Sequence, residues 1–208
     1  SPYNYVANNP IIFIDPDGMR IEFEKGSGLG FRLRVIGNLA VSFATSKTAR
    51  SNIKKIMKRD GNIHIIKNNK DNGNVTVPND IGEWSDKRPS PKYVDFSDEE
   101  MKKNGDAQDK WRSERPTKHS DGTGTGSTIY IDFNDSKGTS ERPDKTTGTT
   151  IDHEFSHAAN AENGTMGSTR QVEEDRAVEE TNTIRKEKNR LRIFRKIPQR
   201  KEYGSVND

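Results

Sequence analysis

The chain has 208 residues, 28% of them hydrophobic and 32% charged, with no cysteine and a formal net charge of +3. Ordinary globular chains are roughly 45–50% apolar counted with glycine, so the core here is small and long polar loops surround it. The absence of cysteine excludes a disulfide framework and a thiolate-held metal, and no apolar run approaches the ~20 residues of a membrane span.

No signal peptide is recognisable. The opening SPYNYVANNP lacks an initiator Met and reads as the middle of a longer protein, with any export signal upstream. Residues 11–15 (IIFID) read as a short strand, and Asp15-Pro16-Asp17-Gly18 is a turn signal. Residues 19–24 alternate apolar and polar like a half-buried strand. The Gly/Ser stretch 25–30 marks a boundary. Residues 31–44 are mixed apolar and fit strand or helix. Ser46 is a good N-cap for a helix over 47–59, closed by Asp60-Gly61. Residues 62–66 (NIHII) look like a strand. Segment 69–126 shows almost no periodicity and reads as loops with short strands draped over the core. The clearest strand is 127–133 (STIYIDF). A helix follows from Thr149 or Thr150 to Asn163-Gly164. A last helix covers 171–194 and ends before Pro198.

The chemistry concentrates at His153-Glu154-Phe155-Ser156-His157. Residues four apart share a helix face, so both imidazoles can reach one zinc ion at about 2.0–2.1 Å. Glu154 lies beside that face, where a carboxylate acts as general base on a water rather than as a ligand. Ile151, Phe155, Ala158 and Ala159 form the core stripe of the same helix. It therefore packs by one side and presents its ligands on another.

A catalytic zinc usually keeps three protein ligands. No histidine follows His157, and His64 and His119 upstream read as structural or surface residues. The carboxylate source is the helix 171–194. Its inward side is Ala177, Val178, Thr181 and Ile184, with Glu173 and Glu174 at opposite flanks and Glu179 pointing out. Helical phase does not choose between Glu173 and Glu174. Further on, residues 185–201 carry nine Lys/Arg against one Glu. That stripe reads first as a solvated basic helix and second as a nucleic-acid or acidic-partner surface.

Two resemblances follow from these motifs. Residues 3–10 (YNYVANNP) with 15–19 (DPDGM) resemble the C-terminal end of the Rhs/YD-repeat core. This implies that residues 1–24 are a remnant of the Rhs core and cleavage junction, and that 25–208 is the variable toxin domain. It also implies an enclosing Rhs shell, a cut after Met19 (in place of the family's Leu), delivery by a contact-dependent system of the type VI kind, and a cognate immunity protein. Residues 127–193, with STIYIDF, DHEFSHAAN and EEDRAVEETNTIR in that order, are similar to zinc peptidase effectors and, more distantly, to botulinum neurotoxin light chains. This resemblance implies Glu174 as the third zinc ligand and Glu173 as partner to a ligating His. It also implies that strand 127–133 is the edge to which an extended substrate adds. Glu179-Glu180 replaces the glycine-containing turn of that pattern, which leaves transition-state stabilisers unassigned between Arg185 and Tyr203.

The expected protein is therefore α+β, a zincin-like domain with an active-site helix and a small mixed sheet. It is a secreted effector that hydrolyses a peptide bond in a target-cell protein. His153, His157 and Glu174 hold Zn2+, Glu154 is general base and then acid, and neither membrane nor nucleic acid is a partner. The rivals are a nucleic-acid-directed toxin and a non-enzymatic module, both using the basic C-terminal helix. A zinc deaminase also carries His-x-Glu but needs Pro-Cys-x-x-Cys, which a chain without cysteine cannot supply.

Overall fold

The computed structural model of the chain describes residues 21–57, 63–69, 73–79, 123–134, 145–167 and 169–191. The element order is β1 (Ile21–Phe23), α1 (Leu29–Thr45), α2 (Lys47–Ile56), β2 (His64–Asn68), β3 (Val75–Pro78), β4 (Ser127–Ile131), α3 (Thr147–Glu162) and α4 (Arg170–Arg190). The architecture is α+β, as expected. The four strands among the described residues form one mixed sheet in the order β1-β2-β4-β3. β1 and β2 are parallel, β2 and β4 are parallel, and β3 runs antiparallel to β4. β1 lies upstream of the expected boundary at residue 24, yet it is an edge strand of the same sheet. Residues 1–20, which carry the Rhs-like motif, lie outside the described residues.

The segment 31–44, open between strand and helix in the sequence, is helical. Phe31, Val35 and Leu39, four apart, bury one stripe of α1, which is helix spacing. Ser46 caps α2 by accepting from Ala49 N at 3.0 Å. β4 alternates in burial, and its inward residues Ile129 and Ile131 join Ile21 and Ile66 in the core. Phe31, Val35, Leu39, Ile53, Ile56, Ile151 and Phe155 close that core from the helices.

α3 is the central helix. It packs on β3 and β4 and is flanked by α1, α2 and α4. It begins at Thr147, two or three residues before the expected start at Thr149 or Thr150, because Thr146 and Thr149 form a reciprocal capping box. The Thr149 amide donates to Thr146 Oγ1 at 3.2 Å, and the Thr146 amide donates to Thr149 Oγ1 at 2.8 Å. The helix ends at Asn163 and Gly164, where φ is 64°, a left-handed value that glycine adopts without strain. The backbone of 124–125 then donates to the Glu162 and Ala161 carbonyls. A Cβ on Gly124 would strike the Ala161 oxygen, so the approach requires glycine.

His64 is structural. It is fully buried, with Nδ1 2.8 Å from Ser127 Oγ and Nε2 3.1 Å from Glu162 Oε2. It ties the starts of β2 and β4 to the end of α3. His119 lies outside the described residues.

α4 has little apolar surface, and polar pairs seat it. Lys188 Nζ donates to Asp152 Oδ2 at 2.6 Å and to Ser42 Oγ at 2.8 Å, and Ser42 Oγ donates to Asp152 Oδ1 at 2.6 Å. Glu187 accepts from Ser46 Oγ and from Thr48 N at the start of α2. Arg185 and Lys188 are both buried, so this part of the basic stripe is not the solvated face the charge run suggests. Charge pattern alone does not reveal that Asp152, far away in sequence, waits to pair with Lys188. Residues 192–208 lie outside the described residues.

Candidate metal centre

α3 and α4 bring the two histidines and the two glutamates together. Thr169 caps α4, accepting from Val172 N at 3.3 Å, and the start of this helix places Glu173, in its first turn, and Glu174, just after it, beside His153 and His157. His153 Nε2 and His157 Nε2 are 3.3 Å apart. Glu174 Oε2 is 3.3 Å from His153 Nε2, and Glu174 Oε1 is 3.6 Å from His157 Nε2. These three residues are the group able to converge on one cation among the described residues. Donors about 2.0–2.1 Å from a tetrahedral zinc ion are roughly 3.3–3.4 Å from each other. The spacing of the two imidazoles and that from His153 to Glu174 Oε2 match this edge, while Glu174 turns its other oxygen to His157 at 3.6 Å. Two ring nitrogens facing each other so closely also need a proton or a cation between them, because lone pairs repel.

Glu173 occupies the position next to that group and is already saturated. Its Oε1 lies 2.9 Å from His157 Nδ1 and 3.0 Å from Asn160 Nδ2, and its Oε2 is 2.7 Å from Gly167 N. With both oxygens engaged and the side chain buried, it orients His157. It fixes a proton on Nδ1 and leaves the Nε2 lone pair for a metal. The two glutamates that helical phase could not separate are placed differently: Glu174 faces the Nε2 atoms of both histidines and Glu173 the Nδ1 of His157.

Glu154 sits beside the cluster, only 4% exposed. Its Oε2 accepts from Thr76 Oγ1 at 2.8 Å, and its main-chain oxygen lies 3.0 Å from the same hydroxyl. Burial pushes the Glu154 carboxyl up, and the pull of His153, His157 and the Thr76 hydroxyl does not cancel this. A raised carboxyl is what a base working near neutral pH needs.

The cluster has surplus negative charge. Burial favours the neutral form of His157, but its hydrogen bond to Glu173 and the charges of Glu174, Glu154 and Glu173 prevail and lift it to about 9. Burial raises Glu174 too, but the hydrogen bond from His153, both imidazoles and Arg170 bring it down to about 2. Glu173 is likewise lowered against its burial, by His157, Asn160 and the Gly167 amide. A proton on His157 balances these carboxylates when no metal is bound, and a divalent cation does so in its place.

Glu174→Ala is expected to lose zinc, because it deletes a donor. Glu173→Ala is expected to weaken zinc binding by about 10–100-fold, the range for removing a partner of a ligating His. Chelator competition on both proteins checks this. A Glu173→Ala protein without zinc beside a Glu174→Ala protein that keeps it reverses the assignment.

One expectation is corrected. β4 is not an edge, because β2 pairs with one side of it and β3 with the other. Among the described residues the edge next to the site is β3, inside the segment 69–126 that lacks periodicity. Its sequence signal was the β-branched Val75-Thr76-Val77, too short to stand out. Thr76 and Asn160 were also missed, because their partners are remote in the chain or fixed by a loop. Arg185 donates to Asn182 Oδ1 at 2.8 Å within its own helix, and Tyr203 lies outside the described residues. Glu179 and Glu180 continue α4 without a turn, and Glu180 accepts from Asn52 Nδ2 at 2.9 Å. No helix among the described residues is long and apolar enough to cross a membrane. The sequence matches no protein-family model, and it has no significant match among curated proteins or solved structures.

Proposed function

We propose that this domain is a zinc-dependent endopeptidase of zincin-like fold. The observation that carries the reading is the convergence of His153 Nε2, His157 Nε2 and the Glu174 carboxylate, whose ligand atoms lie within 4.8 Å of one another, with the buried Glu154 carboxylate beside them. A zinc ion held by these three residues supplies Lewis acidity toward a carbonyl and a water of lowered pKa.

The protein's own residues do the rest. Glu154 accepts the proton of the attacking water and later delivers it to the departing amine, as general base and then acid. Thr76 restrains that carboxylate. Glu173, with Asn160 and the Gly167 amide behind it, holds His157 in one tautomer. Among the described residues β3 offers the backbone edge nearest the site, so an extended substrate adds to β3 rather than to β4.

The Rhs-like motif at 3–19 supports a wider proposal. The domain is the toxin tip of a polymorphic effector, enclosed in an Rhs shell, released by a cut after Met19, delivered into a target cell and neutralised at home by an immunity protein. Its substrate is then a protein of the target cell. The expected results are about one zinc per purified chain and new protein N-termini in cells exposed to the domain. Elemental analysis finding no zinc, with none taken up on addition, removes the reading. An uncut Met19 junction in the mature, active parent removes the processing step alone.

A further inference from the structure

We propose that Thr76 is a positioning residue that fixes which oxygen of Glu154 does chemistry, a role that rests on the peptidase reading above. The case begins with the strand. β3 buries Thr76 and Pro78 and turns Val75 and Val77 the other way. Its register is set by pairing Thr76 with Ile129 and Val77 with Thr128, and Ile129 pairs onward with Ile66. Thr76 therefore belongs to the cross-sheet row that faces the helices. A slip of one residue would turn it to the opposite face.

The contact is specific. The Thr76 hydroxyl has one proton to donate, and Glu154 Oε2 lies nearest at 2.8 Å. The carboxylate is buried, so losing that donor leaves it short of a partner. With Oε2 restrained, Oε1 is the oxygen available to take a proton. The same hydroxyl lies 3.0 Å from the Glu154 carbonyl, so β3 lies against the turn of α3 that carries the base. Position 76 thus links the proposed substrate edge to the proposed base through one side chain. Glu154 is not among the converging donors, so this link acts on proton transfer and not on metal retention.

The test uses Thr76→Val, which removes the hydroxyl and keeps the β-branch, and Thr76→Ser, which restores the hydroxyl. Glu154→Gln is the reference. Kinetics on fluorescein-labelled casein are expected to show kcat down by roughly 10–100-fold in the Val variant, less than the roughly 100- to 10,000-fold of a whole general-base contribution, with KM little changed. The Ser variant should stay close to wild type, and zinc affinity by chelator competition should be unchanged in both. A urea-unfolding cycle on the metal-free protein, combining Thr76→Val with Glu154→Ala, which takes the acceptor away, should show midpoint shifts that do not add, as contacting residues do. That arm needs neither substrate nor metal. Additive shifts, a Val variant with wild-type kcat, or a Ser variant that falls as far as Val overturns the proposal. If Glu154→Gln remains active on casein, the peptidase reading fails and takes the proposal with it. If Glu154→Gln is inactive while Thr76→Val is unimpaired, the proposal alone fails.

Discussion

Glu154→Gln is expected to retain the fold and the zinc while abolishing peptidase activity and toxicity. The amide is nearly isosteric with the carboxylate and can still meet the Thr76 hydroxyl through its oxygen. It takes no ligand away, because the converging donors are His153, His157 and Glu174. An amide cannot accept the proton of the attacking water, and that step alone contributes roughly 100- to 10,000-fold. His153→Ala is the contrast: it deletes a donor and loses metal. Toxicity at matched expression, with zinc content measured on each variant, separates the two. A Glu154→Gln protein that stays fully toxic makes the helix motif structural and moves the activity elsewhere, first to the basic C-terminal segment.

Lys188→Met is expected to be the most destabilising single change in the α3–α4 seam. Lys188 is 5% exposed and Asp152 3%, and the two meet at 2.6 Å. Methionine matches the length of the stem but leaves the Asp152 carboxylate buried, with Ser42 as its remaining side-chain donor among the described residues. Breaking a buried pair on one side costs about 3–5 kcal/mol, a large share of the 5–15 kcal/mol typical of a whole domain. Removing both charges with Asp152→Asn and Lys188→Met should recover much of that loss, since no unpaired ion remains. The effect should reach the metal as well. Asp152 precedes His153 on α3, and α4 carries Glu174, so a looser seam spreads the donors and weakens zinc binding. Urea unfolding of the metal-free single and double variants measures the first part, and chelator competition the second. A Lys188→Met protein within 1 kcal/mol of wild type, on the same scale of about 3–5 kcal/mol for a broken pair, contradicts this account.

The sequence by itself determined the local features of this protein. The His153–His157 spacing on a helix, the stripe of Ile151, Phe155, Ala158 and Ala159, the Ser46 cap and the strand beginning at Ser127 all depend on residues within a turn or two of each other. Short-range periodicity and capping chemistry decide such features. The tertiary structure decided what depends on neighbours far along the chain. It made 31–44 a helix by giving Phe31, Val35 and Leu39 a core to enter. It placed β4 inside the sheet and β3 at its edge, a matter of strand order that alternation cannot encode. It separated Glu173 from Glu174 by surrounding one with His157, Asn160 and the Gly167 amide and turning the other to the histidine Nε2 atoms. It also buried Lys188, which in sequence is one cation in a basic run, because Asp152 and Ser42 on two other helices supply its partners. Each of these outcomes depends on desolvation, and what removes water from a side chain is the packing of segments that the linear sequence keeps apart.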